Sequence, residues 1–218
     1  MIKLEADVAI VGSGFGGSLT ALILKQGGLR PVLIERGSHP RFAIGESSTP
    51  IANFVLRDLA RQYDLPRIAP LAKYGTWQKA YPEMVAGIKR GFSYFNEEPG
   101  KPFIPRDDHA NELLVAANCS TEHSDTQWMR SDVDRFFVEE AQRAGISYVD
   151  HTNVDSFEET DGGWKLSGQR CQDDRGSLLG PRLPDGLDSK PADCSSSDSE
   201  KVEIKAAFVV DASGDAGA

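Results

Sequence analysis

The sequence predicts an α/β fold, a parallel sheet with helical crossovers extended by an antiparallel β-meander. Three observations predict it. An apolar, β-branched run from Val8 to Val11 passes straight into a glycine-rich turn. The chain then returns to short apolar strands at Pro31–Ile34 and at 146–150 after helical stretches. Near its end, two strand-like runs flank a turn at Asp161, Gly162 and Gly163, which reads as a hairpin.

The first strand suits burial on both faces. Gly12, Gly14 and Gly17 form G-x-G-x-x-G. In such a turn the first glycine allows the bend, the second lets a pyrophosphate approach the backbone, and the third lets helix and strand pack closely. Leu19, Leu22 and Ile23 fall at helical spacing, so a helix begins there with its N–H groups turned back toward the loop. Glu35 ends the second strand, 21 residues past Gly14, where a carboxylate can accept hydrogen bonds from a ribose. These features together predict a dinucleotide site.

Residues 36–50 are too irregular for a strand or helix. Thr49 followed by Pro50 marks a helix start, continued by an expected apolar face of Ile51, Phe54, Val55 and Leu59. Residues 66–83 read as a weakly patterned connection. Ala86–Phe95 reads as one strand with neither face cleanly apolar, fitting either a polar cavity or a sheet edge. Leu113–Ala117 allows a helix or a strand. Ser131 and Asp134 have capping-box spacing before a helix ended by Gly145. Val154–Thr160 and Trp164–Gly168 form the hairpin, with Val202–Lys205 as its third strand and Ala207–Val210 as a separate buried strand before Asp211. Residues 169–201, rich in Gly, Pro, Ser and Asp, are expected to be a flexible excursion.

The chain has 218 residues and a net charge of −9, and its basic residues are scattered, which argues against nucleic acid as a main partner. Cys119, Cys171 and Cys194 form no C-x-x-C pattern, so reduced thiols are expected, and no His or Cys spacing suggests a metal site. No run is long enough to span a bilayer and no secretory leader is evident, so a cytoplasmic protein is expected.

With these pieces placed, the chain resembles FAD-dependent enzymes of the glutathione-reductase-like, Rossmann-like FAD-binding fold. Within them it is most similar to the group of flavin-dependent halogenases, aromatic monooxygenases and geranylgeranyl reductases. The resemblance rests on DVAIVGSGFGG, PVLIER, PRFAIGESSTP, WMRSDVDRFFVEEAQRAGISYVD and VVDASG, and it looks strongest on the halogenase side.

The resemblance implies an FAD-dependent oxidoreductase in which reduced flavin and oxygen oxidise halide or a small organic substrate, with a flavin reductase or NAD(P)H as electron source. A monooxygenase, a geranylgeranyl-type reductase and an inactive FAD-binding fragment are the alternatives. Gly12, Gly14 and Gly17 would hold the pyrophosphate, with N–H groups from Phe15 and Gly16, and Glu35 would take the adenosine ribose. Arg41 and Gly45, Glu46 and Ser47 would lie on the flavin side. Arg130 would meet FAD, Val154 would contact adenine through its backbone, and Asp211 would close a second fingerprint. Lys89 matches the strand that carries the amine handling hypohalous acid in tryptophan halogenases. A solvent-facing lysine is the other reading of Lys89, a solvated or ion-paired surface residue that of Arg41 and Arg130, a turn cap that of Asp211, and a favourable charge at a helix start that of Glu46.

The implied division is residues 1–65 as the dinucleotide-binding βαβ unit with the G-E-S loop, 66–130 as the start of a substrate-side segment, and 131–218 as the return to the FAD sheet. The W-x-W-x-I-P signature and a later Gly-Asp motif of halogenases are absent, so a truncated chain is expected.

Overall fold

A computed structural model describes residues 1–116, 118–171 and 199–214. It divides into two compact units, one formed by the described residues of Met1–Gly45 and Arg130–Ala218, the other by those of Glu46–Met129.

The first unit is a six-stranded sheet. Its members are β1 (Ile2–Val11), β2 (Pro31–Ile34), β7 (Ser147–Val149), β8 (Thr152–Thr160), β9 (Gly163–Cys171) and β10 (Ser199–Asp211), in the spatial order β7-β2-β1-β10-β9-β8. The four strands from β7 to β10 run parallel, and β9 and β8 continue the sheet antiparallel. Val32, Ile34, Ile204 and Leu166 form its core together with Ala9 and Val149.

The parallel sheet and meander are as expected, but the last strand differs. The expected third meander strand and the expected buried strand are one continuous β10. It pairs antiparallel with β9 from Ser199 to Ala206 and parallel with β1 from Val202 to Asp211. One long strand thus joins the two halves of the sheet, because nothing at Lys205–Ala207 breaks an extended backbone. Of the expected excursion, 169–171 complete β9 and 199–201 open β10; residues 172–198 lie outside the described residues.

Two crossover helices belong to this unit, α1 (Phe15–Gln26) and α4 (Arg130–Arg143). The buried positions of α1 are Gly17, Ser18, Ala21 and Leu22. Leu19 and Ile23, expected inside, are only partly buried, because the small residues are the ones that bring the helix close to the strand turn. Cys171 is disulfide-bonded, which corrects the expectation of reduced thiols; linear spacing does not show which cysteines meet in space. Cys119 is a free, exposed thiol, and Cys194 lies outside the described residues.

The second unit has α2 (Pro50–Gln62), a 3₁₀ turn at Ala69–Ala72, α3 (Tyr74–Ala80) and two small antiparallel sheets. Thr49 caps α2 as its sequence suggests, its hydroxyl accepting from Ala52 N at 3.2 Å. The buried face of α2 is Asn53, Leu56 and Ala60, whereas Ile51, Phe54 and Val55 are exposed. The expected single strand 86–95 divides at Arg90 into β3 (Ala86–Lys89) and β4 (Gly91–Phe95). β3 pairs with β6 (Asp125–Trp128), β4 with β5 (Glu112–Ala116), so the ambiguous segment is a strand. Gly91 makes the second pairing possible, since a Cβ there would lie 2.0 Å from Val115 O. No described helix is long and apolar enough to cross a membrane.

Candidate functional site

The glycine turn is built by close backbone approach. Gly12 has φ +105°, and a Cβ on it would lie 2.2 Å from the Ala212 carbonyl oxygen; a Cβ on Gly17 would lie 2.1 Å from Gly12 O. Gly12 N donates to Ile34 O and Ala212 N to Val11 O, so β2, β1 and the end of β10 converge at the turn. Asp211 therefore sits beside the motif, its Oδ1 accepting from Ser213 N and Oγ in a local turn.

Gly14 is the N-cap of α1 and offers no side-chain cap, and the first turn of the helix holds no acidic residue. A Cβ on Gly16 would meet nothing within 4 Å, so space lies open at the helix start. Around Gly14, a Cβ would be 3.7 Å from both Arg41 Nη2 and Asp134 Oδ2 and 3.8 Å from Arg130 Nη2. Two guanidiniums thus converge where helix N–H groups already favour an anion.

Each guanidinium is held by a carboxylate. Asp134, wholly buried, receives Arg130 Nε and Nη2 at 2.9 Å each and Phe15 N at 3.3 Å. It thus ties Arg130, the first residue of α4, to the start of α1, and Ser131, expected as the cap of α4, lies inside the helix. Arg130 also donates from Nη1 to Ile44 O at 2.5 Å, reaches Gly45 O at 3.5 Å, and stacks over the Phe15 ring. The structure therefore brings Gly14, Phe15, Arg41, Gly45 and Arg130 together.

Glu35 is 5% exposed and turned inward. Its Oε2 accepts from Ser13 N at 3.0 Å, Ser13 Oγ at 2.9 Å and Arg41 Nη2 at 3.5 Å; its Oε1 accepts from Gly37 N at 3.1 Å. Burial pushes the carboxyl up, but Arg41 and the donors at Ser13 and Gly37 outweigh it and hold the group below its ordinary value. Next to it, His39 Nε2 lies 2.7 Å from Ser13 Oγ, and burial, followed by Arg41, pulls the imidazole below its ordinary value against Glu35 and Asp134. Burial also pushes the Tyr148 phenol up. His39 Nδ1 and Arg41 Nε are buried without a hydrogen-bond partner among the described residues.

Val154 lies on β8, half-buried against the sheet core; two residues earlier, Thr152 N donates to Glu35 O at 2.9 Å. Sequence reasoning missed Ser13, His39 and the site role of Asp134. Asp134 carried a usable signal, since a carboxylate four residues after Arg130 on a helix is an ion-pair spacing.

Glu46, Ser47 and Lys89 belong to the second unit. Ser47 bridges to Gln127, and Trp128 N donates to Glu46 O at 2.7 Å, so this part of the G-E-S run lies along β6. Lys89 is buried at the end of β3, donating to Ser47 Oγ at 2.5 Å and Ser48 O at 2.6 Å, with its amine 4.3 Å from the Phe92 ring centroid. The solvent-facing reading of Lys89 is thereby corrected, because the β3–β6 pairing turns the amine onto Ser47 and Ser48.

No protein-family profile matches the chain. Over 82% of its length it is 29% identical to monodechloroaminopyrrolnitrin halogenase PrnC of Pseudomonas fluorescens, covering 31% of that protein. Over 74% it is 32% identical to tetracycline 7-halogenase of Kitasatospora aureofaciens, covering 28% of it. Among solved structures, halogenase PltM in complex with phloroglucinol and FAD superposes with a TM-score of 0.70 at 26% identity, over 97% of this chain and 35% of PltM. The chain thus spans about a third of the length of the relatives it matches.

Proposed function

We propose, the chain being a relative of the flavin-dependent halogenases that spans about a third of their length, that it forms the FAD-binding part of a halogenase-like oxidoreductase. The observation that carries the reading is the convergence of Arg41 and Arg130 on Gly14, a helix N-cap that brings no side chain of its own. The open space at Gly16 and the buried, unpartnered Arg41 Nε and His39 Nδ1 fit an anionic dinucleotide, which brings both charge and hydrogen-bonding groups.

FAD, when bound, supplies the redox chemistry, in which reduced flavin and oxygen oxidise halide or a small organic substrate. The chain's own residues bind and orient. Gly12 and Gly17 hold the turn, Gly14 and the Gly16 N–H face the pyrophosphate, and Arg41 and Arg130 neutralise it. The Phe15 N–H is engaged by Asp134, so Phe15 contributes its ring, stacked under Arg130, more than its amide. Glu35 orients the ribose, Val154 lies past the turn that is bonded to Glu35, and Asp211 shapes the loop that meets Gly12. The Ile44 carbonyl, with that of Gly45 at 3.5 Å, fixes Arg130. In the second unit, Glu46 and Ser47 run along β6, and Lys89 is the amine assigned to oxidised halide, supported by its burial among neutral partners.

A flavin reductase or NAD(P)H supplies electrons in this reading, and the compartment is the cytoplasm. The Cys171 disulfide weighs against that compartment, and thiol trapping in cell extracts tests it. The activity test gives the purified protein FAD, an NADH-driven flavin reductase, oxygen, bromide and an electron-rich aromatic. Halogenated product is expected. Hydroxylated product alone assigns a monooxygenase, oxygen-independent alkene reduction a reductase, and bound FAD without turnover a cofactor-binding piece only.

A further inference from the structure

Beside Glu35 lies an acceptor that the described residues leave unused, and its identity follows from counting protons. Glu35 is a carboxylate and can only accept, so the Ser13 hydroxyl, 2.9 Å away, donates its single proton to it. The 2.7 Å contact between Ser13 Oγ and His39 Nε2 must then run from nitrogen to oxygen. Neutral His39 therefore carries its proton on Nε2 and a lone pair on Nδ1, and Nδ1 is the buried atom without a partner.

The neighbouring carboxylate explains what Nδ1 is for. Oε2 of Glu35 already takes Ser13 N, Ser13 Oγ and Arg41 Nη2, and Oε1 takes Gly37 N. A carboxylate has about four acceptor positions, so little of Glu35 is left for a vicinal diol, which presents two donors. We propose that His39 Nδ1 is the second acceptor for the adenosine ribose of the bound dinucleotide, taking one hydroxyl while Oε1 of Glu35 takes the other. This assignment rests on the dinucleotide reading of the first unit.

Asparagine and glutamine separate the two ends of the ring, since an asparagine amide reaches the depth of Nδ1 and a glutamine amide that of Nε2. The dissociation constants of FAD, by flavin fluorescence, and of AMP, by calorimetry, are measured for the wild type, His39→Asn, His39→Gln and His39→Phe. His39→Asn should stay within about two-fold of the wild type, while His39→Gln and His39→Phe weaken both ligands by about 5–10-fold, the worth of one hydrogen bond. The reverse order, with glutamine tolerated and asparagine not, would show that His39 only braces Ser13. Equal affinities across the series also overturn the proposal.

AMP bound in a His39-dependent manner without FAD binding would keep the ribose assignment and defeat the FAD reading; binding of neither ligand defeats both. Should the variants misfold, nitrogen NMR of the wild type decides. AMP should move the Nδ1 resonance of His39 and leave Nε2 in place, and an unmoved Nδ1 overturns the proposal.

Discussion

The glycine-turn region of the first unit and the Lys89 region of the second hold buried charge in opposite ways. Around Gly14, each buried charge has a partner of opposite sign, Arg130 with Asp134 and Arg41 with Glu35. Lys89 is buried against a hydroxyl, a carbonyl and a ring face. A carboxylate stands opposite it in register, but Asp125 is bonded to Asn53 and Lys73 instead. A balanced set can be kept for architecture and for an incoming anion. A buried cation among neutral groups is hard to justify on stability alone, and this is the observation behind the role proposed for Lys89.

The comparison breaks first at the backbone. Gly12→Val adds a Cβ into 2.2 Å of Ala212 O at a positive φ, so the first unit should lose about 3 kcal/mol or more, seen as a collapse of the urea midpoint. Gly16→Ala, where a Cβ meets nothing, should leave that midpoint within about 1 kcal/mol. Comparable losses at both positions would refute the close-approach account.

The charges come next. Asp134→Ala strands Arg130, whose side chain is only 12% exposed, and releases Phe15 N, so denaturation should show a loss of about 3 kcal/mol. Lys89→Met removes a cation whose partners are a hydroxyl, a carbonyl and a ring face, and the same measurement should change by less than about 1 kcal/mol. Product formation should nevertheless fall about 100-fold or more with the FAD dissociation constant unchanged. A Lys89 variant as unstable as the Asp134 variant would erase the contrast.

The smallest effect is on acid stability. Glu35 and His39 both have folded values below their ordinary 4.5 and 6.5, so the unfolded chain binds protons more readily and stability is lost as the pH falls. The His39 contribution is complete above 6.5 and lost as the pH falls toward its lower folded value; that of Glu35 is complete above 4.5 and lost below it. His39→Phe should remove the upper step of the pH–stability curve and keep the lower one. An unchanged upper step would assign it to another group.

What could be read in sequence follows the same division. In the first unit, the strand, turn, helix and acidic strand end are local signals set by backbone geometry, and Gly12, Gly17 and Glu35 are found where those signals put them. The single strand β10 was hidden because its antiparallel pairing with β9 ends at Ala206 while its parallel pairing with β1 runs on to Asp211, a change of neighbour that leaves no break in the local pattern. In the second unit, burial runs against polarity, with Ile88 exposed and Lys89 buried, so alternation along 86–95 gave no face and the break at Arg90 left no trace. Ser13 and His39 were missed because their roles depend on Glu35 turning inward, a tertiary outcome that no spacing encodes.

The central claim, that the first unit holds FAD through its glycine turn and paired charges, is tested most directly by the visible spectrum of the protein desalted after incubation with FAD. Retained flavin bands in the wild type, lost in Arg130→Ala at unchanged circular dichroism, are the predicted result. A folded wild-type protein that emerges colourless would contradict it.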